Sequence, residues 1–212
     1  MTTVELPPSE RELVDALRRG DERVFAGLVD RHGAAMLRLA RAYERDPAVA
    51  EEIVQDAWIG LLRGIEGFEG RSSLRTWLFR IVANVARTRA AREARSLPFS
   101  ALVADEGDDG SSSPERFRGP EHRWEGHWSA PPQEWSRPEH ELMSAETRTQ
   151  IAAAIRCLPQ SQRVVITLRD VEGRSADEVC ALLEISEGNQ RVLLHRARTR
   201  VRQVLDDYLT TP

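Results

Sequence analysis

The sequence predicts an all-α protein made of two small helical domains joined by a long flexible acidic linker. Apolar residues recur at three- and four-residue steps through residues 9–97 and again through 147–209, and no alternating run suggests a strand. Between them, residues 98–146 lose this rhythm and fill with acids, Gly, Ser and Pro, as in ADEGDDGSSSPERFRGP. Charge follows the same division. The first 97 residues hold 16 Arg against 15 acids, residues 98–146 hold 4 against 11, and the remainder holds 10 against 8. With 41% hydrophobic and 30% charged residues in a chain of 212, one or two modest cores are affordable.

Several function classes drop out at once. No apolar run reaches the ~18–20 residues of a membrane span. Met1 to Pro8 lacks the basic start and apolar stretch of a secretory leader, so a cytoplasmic protein with a disordered tail over 1–8 is expected. Cys157 and Cys180 cannot build a disulfide framework, and none of the five histidines stands at zinc-finger spacing from them. Neither cysteine shows a feature beyond that of a small buried apolar residue. No catalytic carboxylate pair, nucleophile–base pair or phosphate loop is present, so neither catalysis nor a cofactor or metal is expected.

Along the N-terminal domain, Ser9 is placed to cap a first helix reaching Arg19, with Glu12 three residues on as in a capping box. Asp21 can cap the second, whose stripe is Phe25, Leu28, Val29, His32, Met36, Leu39, Ala40 and Tyr43. On that stripe His32 reads as a core-edge residue. Asp46-Pro47 opens a third helix, because proline suits the first helical turn. It runs to about Arg63, with Ala50, Ile53, Val54, Ala57 and Leu61 inside. Gly64, Gly67 and Gly70 interrupt the pattern. A fourth helix then runs from near Ser73 to about Arg95 on a stripe of Leu74, Trp77, Leu78, Ile81 and Val85.

The C-terminal domain opens with a helix carrying Ile151, Ile155 and Leu158, stopped by Pro159. Ser161 is expected to cap the next helix, with Val164, Val165 and Leu168 inside and Gly173 at its close. Ser175 caps a short helix, ADEVCALLE. A turn at Ile185-Ser186-Glu187 leads into a long final helix, GNQRVLLHRARTRVRQVLDDYL. A short helix, a tight turn and a long basic helix make the helix-turn-helix pattern.

Three constellations carry chemistry. In the final helix, Gln190, Leu194, Ala197 and Val201 step inward. Arg191, Val192, His195 and Arg196 therefore share an outer stripe near its N-terminal end, where such helices enter the major groove. Arginine can fork onto guanine and Val192 can touch a thymine methyl, while Arg198 and Arg202 are better placed for phosphates. The second cluster is the loop Phe68-Glu69-Gly70-Arg71-Ser72-Ser73 and the basic helix after it, where Arg80, Asn84 and Arg87 form one stripe. An aromatic and small polar groups beside such a helix can hold an unstacked base, although Trp77 sits on the apolar stripe and reads as core. The third is a polar face, Glu52, Gln55, Asp56 and Ile59, spaced i, i+3, i+4, i+7.

Taken in order, AEEIVQDAWIGLLRGI, FEGRSSLRTWLFRIVANVAR and LPQSQRVVITLRDVEGRSADEVCALLEISEGNQRVLLHRARTRVR resemble the sigma-2 and sigma-4 domains of an extracytoplasmic-function (ECF) sigma factor of bacterial RNA polymerase. The resemblance covers about 9–97 and 147–209. It implies that Glu52, Gln55, Asp56 and Ile59 dock on the clamp helices of the largest core polymerase subunit. Phe68, Arg71, Ser72, Arg80, Asn84 and Arg87 then fall where the −10 strand is unstacked, and Arg191, Val192, His195, Arg196 and Arg198 where the −35 duplex is read. The sigma-4 domain meets the flap of the second-largest subunit. The implied partners are thus core RNA polymerase and promoter DNA, with no membrane; an anti-sigma factor is compatible with the resemblance. A helix-turn-helix regulator acting without polymerase is the alternative.

This sequence departs from the family pattern at Thr88, where an aspartate is common, at Gly188-Asn189-Gln190, where a small-Thr-Val run is usual, and at Leu193, usually polar. Trp124, Trp128 and Trp135 in the linker are not general to the family and are expected to anchor it, on polymerase or on its own domains. The two promoter elements would lie roughly 75–80 Å apart at ~3.4 Å per base pair. A relaxed linker spans only ~40 Å but ~160 Å when stretched, so the spacing must be held by polymerase.

Overall fold

Asp21 starts the second helix of the N-terminal half. Its carboxylate accepts the backbone N–H of Arg23 and Val24, 3.0 and 3.2 Å away, satisfying donors that the first helical turn leaves open. The computed structural model describes residues 8–96 and 145–210. It sets α1 at Pro8–Arg18, α2 at Glu22–Tyr43, α3 at Pro47–Gly64 and α4 at Leu74–Ser96, followed by α5 at Ala145–Cys157, α6 at Gln160–Ile166, α7 at Ala176–Leu183 and α8 at Glu187–Thr210. Every regular element among the described residues is helical. The expected tail, linker and linker tryptophans lie almost entirely outside them, as does the side chain of Ser9.

Helices α2, α3 and α4 pack around Met36, Leu39, Ile53, Leu61, Leu78 and Phe79. Asp46 caps α3 through the Ala48 N–H at 2.9 Å, with Pro47 in the first turn. Small residues set the spacing. A Cβ on Gly60 would come within 3.1 Å of Ile81, and one on Gly64 within 3.2 Å of Trp77, so these glycines let α3 settle closely on α4. Arg18 fastens α1 to the turn after α3, donating to the carbonyls of Ile65 (3.3 Å) and Phe68 (2.8 Å). The Glu10 carboxylate accepts the Leu74 N–H at the start of α4. Ser73 completes that start by accepting the Thr76 N–H at 3.1 Å.

Of the expected apolar stripe of α4, Leu74 and Leu78 are buried and Trp77, Ile81 and Val85 are half-buried. Phe79, Val82, Ala83 and Ala86 are also buried, on a second side of the helix. A helix apolar on two sides is covered on two sides, and the second cover comes from the C-terminal half. Val164, Leu168, Val179 and Leu182 share one core with α2, α3 and α4. Residues 8–96 and 153–210 accordingly belong to one compact unit, while Ala145–Ala152 of α5 falls to a second.

Within the C-terminal half, α6 is buried almost all round. Val165 and Ile166 face Leu158, Leu194 and Ala197, while Val164 and a following π turn at Thr167–Val171 put Leu168 into the shared core. Ser161 does not cap α6. The helix begins at Gln160, two residues earlier than a Ser161 cap implies, with Pro159 at the N-cap and no side-chain cap, and Arg163 N–H donates to Pro159 O at 2.9 Å instead. Gly173 turns the chain at φ +65°. Ser175 and Glu178 then form a reciprocal capping box on α7, at 3.1 and 3.0 Å. Glu184 ends α7 in the left-handed region at φ 60°, and Ser186 caps α8 through the Asn189 N–H at 3.2 Å. Cys157 is exposed rather than buried, and Cys180 is half-buried. Burial and the neighbouring Glu187 and Asp177 push the Cys180 thiol pKa up.

Candidate nucleic-acid and polymerase interfaces

The polar face of α3 is built as its spacing suggested. Burial of Ala50, Ile53, Ala57 and Leu61 turns Glu52, Gln55 and Asp56 outward, and Ile59 stands 44% exposed beside them. Leu62, three residues further, is 49% exposed and extends the stripe. The sequence reading stopped at Ile59 and missed it, although the 55–59–62 step was visible. An acidic rim around two exposed apolar side chains suits a protein partner. Glu52 is tied back to α4 by an ion pair with Arg89 at 2.6 Å.

The second face runs from the loop after α3 along α4. Arg71 is exposed and paired with Glu69 at 2.8 Å, and Ser72 is half-buried. Phe68 differs from expectation. It is 7% exposed and packs on Trp77 with ring centroids 4.8 Å apart, so its ring belongs to the core in this conformation. Asn84 is exposed and accepts from Arg87 at 2.6 Å. Arg80 and Arg87, two turns apart on α4, reach the C-terminal end of α7. Arg80 donates to Ala181 O at 3.1 Å and Arg87 to Leu183 O at 3.5 Å. Those carbonyls lack helical partners and sit at the negative end of the helix, which guanidinium groups satisfy.

Around this grip lie further contacts between the halves. Glu172, whose side chain is 2% exposed, pairs with Arg38 at 2.7 Å and Arg75 at 3.3 Å. Thr76 Oγ1 donates to Glu178 at 3.2 Å, and Glu178 also pairs with Arg174 at 3.0 Å. The Arg174 guanidinium lies 4.8 Å from the Phe79 ring centroid. Arg163, buried, donates to Ala42 O at 2.6 Å.

The third face is the start of α8. Gln190, Leu194 and Ala197 are buried as their spacing indicated. Arg191, Val192 and Arg196 are exposed, Val192 at 49%. His195 is half-buried. Burial first, then Arg202 and Arg198, lower its pKa and favour the neutral ring. Arg198 is forked onto Asp170 at 2.8 and 2.7 Å, a bond that raises its pKa further. The most accessible reading set is therefore Arg191, Val192 and Arg196, on a helix whose start is capped and whose inner side is packed. Among the described residues, no group of three or more His, Cys, Asp or Glu could hold a metal ion, and no helix is long and apolar enough to cross a membrane.

Comparison with known proteins bears on these faces. Residues 28–96 match the Sigma-70 region 2 family and residues 148–201 match Sigma-70, region 4. The chain is 29% identical over 193 residues to the ECF RNA polymerase sigma-E factor of Escherichia coli (strain K12), covering 91% of this chain and 92% of that one. It is 28% identical over 200 residues to the RNA polymerase sigma-H factor of Pseudomonas aeruginosa, covering 94% and 95%. Among solved structures, it resembles CnrH in complex with the cytosolic domain of CnrY at a TM-score of 0.57 and 23% identity, covering 94% of this chain and 98% of that one. It also resembles the sigma factor RpoE in complex with the anti-sigma factor NepR from Bartonella quintana, at 0.57 and 21%, covering 86% and 96%.

Proposed function

Since the chain belongs to the sigma-70 family and is an ECF-type RNA polymerase sigma factor, we propose a division of labour among its faces. Residues 9–97 bind core polymerase through Gln55, Asp56, Ile59 and Leu62 of α3, with Glu52 at the rim. The same domain engages the −10 strand through the loop at Arg71 and Ser72 and through Arg80, Asn84 and Arg87. Residues 147–209 read the −35 duplex with Arg191, Val192 and Arg196. His195 lies at the edge of that set, and Arg198 positions α8 through Asp170 until a phosphate competes for it. Residues 98–146 join the two, and the protein works in the cytoplasm beside polymerase, without catalytic chemistry of its own.

The observation that carries this reading is the pairing of an exposed acidic-apolar stripe on α3 with an exposed Arg-Val-Arg set at the capped start of α8. A polymerase-independent regulator would have no use for the first. The likeness to CnrH and RpoE, each solved with a bound partner, supports an anti-sigma factor as an additional partner.

Run-off transcription with core polymerase on a pool of promoters tests the assignment. The chain is expected to yield new promoter-specific transcripts. Gln55→Ala with Asp56→Ala should abolish them along with core binding on a sizing column. Arg191→Ala with Arg196→Ala should leave core binding intact and lower transcription from promoters that depend on a −35 element. A single base contact contributes about 1–3 kcal/mol, so a loss of ten-fold or more is expected. Normal transcription from the α3 double variant would sink the docking assignment.

A further inference from the structure

We propose that Asp170 is a specificity-determining residue: it withholds Arg198 from the DNA phosphates, so that −35 recognition rests on the base-edge contacts of Arg191, Val192 and Arg196. The inference rests on the assignment of α8 to the −35 duplex.

Arg191 and Arg198 stand seven residues apart and so share one side of α8. At 1.5 Å per residue they are about 10.5 Å apart along the axis, and the major groove is about 12 Å wide. With Arg191 over base edges, Arg198 therefore meets the wall of the groove, where the phosphates lie.

The two arginines differ in what holds them. Arg191 has Glu187 at 3.9 Å, with side chains 80% and 68% exposed, a contact that water and salt screen. Arg198 is forked onto Asp170 through Nε at 2.8 Å and a terminal nitrogen at 2.7 Å, and the Asp170 side chain is only 32% exposed. A bidentate carboxylate occupies the same two-pronged donor set that a phosphate takes. DNA must displace one anion to supply another, so Arg198 adds little net attraction to any sequence.

The fold keeps Asp170 in place. It belongs to the π turn Thr167–Val171, closed by the Glu172 N–H on Thr167 O at 2.9 Å, and Leu168 of the same turn is fully buried. A carboxylate near the C-terminal end of a helix opposes the helix dipole, and the fork to Arg198 offsets that unfavourable placement. Phosphate contacts attract every sequence alike, whereas base contacts discriminate. A released Arg198 would raise binding everywhere. Promoters with a good −35 match are already filled, so the gain would fall to poor matches.

The test uses holoenzyme assembled from core polymerase and the full chain. Its templates derive from one promoter of the run-off pool, with the −10 element kept and the −35 element randomised. Asp170→Asn keeps the shape of the side chain and removes its charge. At limiting polymerase it should raise transcription from poorly matched −35 elements several-fold and leave the best within about two-fold. The log–log dependence of promoter binding on salt should steepen by about 0.9, equivalent to one phosphate contact. Asp170→Glu should behave as the natural chain, and the steepening should vanish when Arg198→Ala is added. A merely structural role for Asp170 predicts the opposite sign: weaker transcription, most of all from promoters that depend on a −35 element, with no steeper salt dependence. That result, or full steepening without Arg198, overturns the proposal. Arg191→Ala with Arg196→Ala forms a separate arm. If that pair leaves the −35 preference intact, the assignment of α8 fails and the role of Asp170 with it. If the pair loses the preference while Asp170→Asn matches the natural chain, the assignment of α8 stands and only the role of Asp170 falls.

Discussion

Arg163, 4% exposed, donates to Ala42 O at 2.6 Å, to Leu158 O at 3.1 Å and to Arg156 O at 3.3 Å. One side chain thus satisfies backbone groups from α2 and from the end of α5. Burial lowers its pKa, yet an arginine so bonded stays protonated. Arg163→Met keeps the volume and strands these carbonyls, and is expected to cost about 2–4 kcal/mol in urea unfolding. His32 makes a pH prediction. Burial first, then Arg75, Arg31 and Arg174, lower its pKa below the usual 6.5. The unfolded chain therefore binds a proton more readily than the folded one. Stability from this residue is complete above about 6.5 and is lost as pH falls toward the lowered folded value. His32→Gln should flatten that part of a thermal-unfolding profile taken between about pH 7 and 5; an unchanged slope would refute the assignment. Phe68 shows where residue-level reading stops. An aromatic beside a glycine-rich basic loop has the chemistry of a base-stacking platform, and only the position of Trp77 shows that its ring is already occupied.

Elements were legible where their signals are local. Asp21, Asp46 and Ser175 sit at true caps, and the inward step of Gln190, Leu194 and Ala197 fixed the outward set of α8. Ser161 misled because Pro159 takes the N-cap position, which puts Ser161 inside the first turn of α6 rather than ahead of it. Much of α4's buried surface was hidden for a different reason. Phe79, Val82, Ala83 and Ala86 share a core with Val164, Leu168, Val179 and Leu182, some hundred residues away, and a periodicity read on one helix does not name its partner. The capping box of α7 has an outsized role, since Glu178 holds the Ser175 N–H while also meeting Thr76 and Arg174. Ser175→Ala removes one side of the box and should cost about 1 kcal/mol. Hydrogen exchange should quicken at the first turn of α7 before it does at α8. Equal protection in the two proteins would mean that tertiary packing alone holds the helix.

For the whole molecule, the acidic middle and the two near-neutral ends were legible from charge counts, but the docking of one half on the other was not. Each side of that contact looks self-sufficient in sequence: a basic helix in one half, a helix-turn-helix in the other. Ionic rim contacts such as Arg38–Glu172 are weakened by salt more than apolar centres are. Raising salt is therefore expected to enlarge the radius of gyration of the free protein in small-angle scattering, with no loss of helix by circular dichroism. A radius independent of salt would assign the closed packing to its apolar centre.

The contact between Arg80 and Ala181 joins residues 101 apart in sequence, which has a consequence for how the chain reaches its final form. The packing of α2 on α3, α3 on α4 and α7 on α8 joins neighbours along the chain and can form early, because short loops close with little loss of entropy. Bringing α7 onto α4 closes a far larger ring and comes last. Its entropy cost grows only with the logarithm of the intervening length, about 0.6 kcal/mol for each doubling. The stretch between the halves can therefore gain or lose many residues with little effect on docking. Refolding should show a fast rise in helix followed by a slower step that buries Phe79 and Leu182, and inserting residues between the halves should slow that second step only slightly.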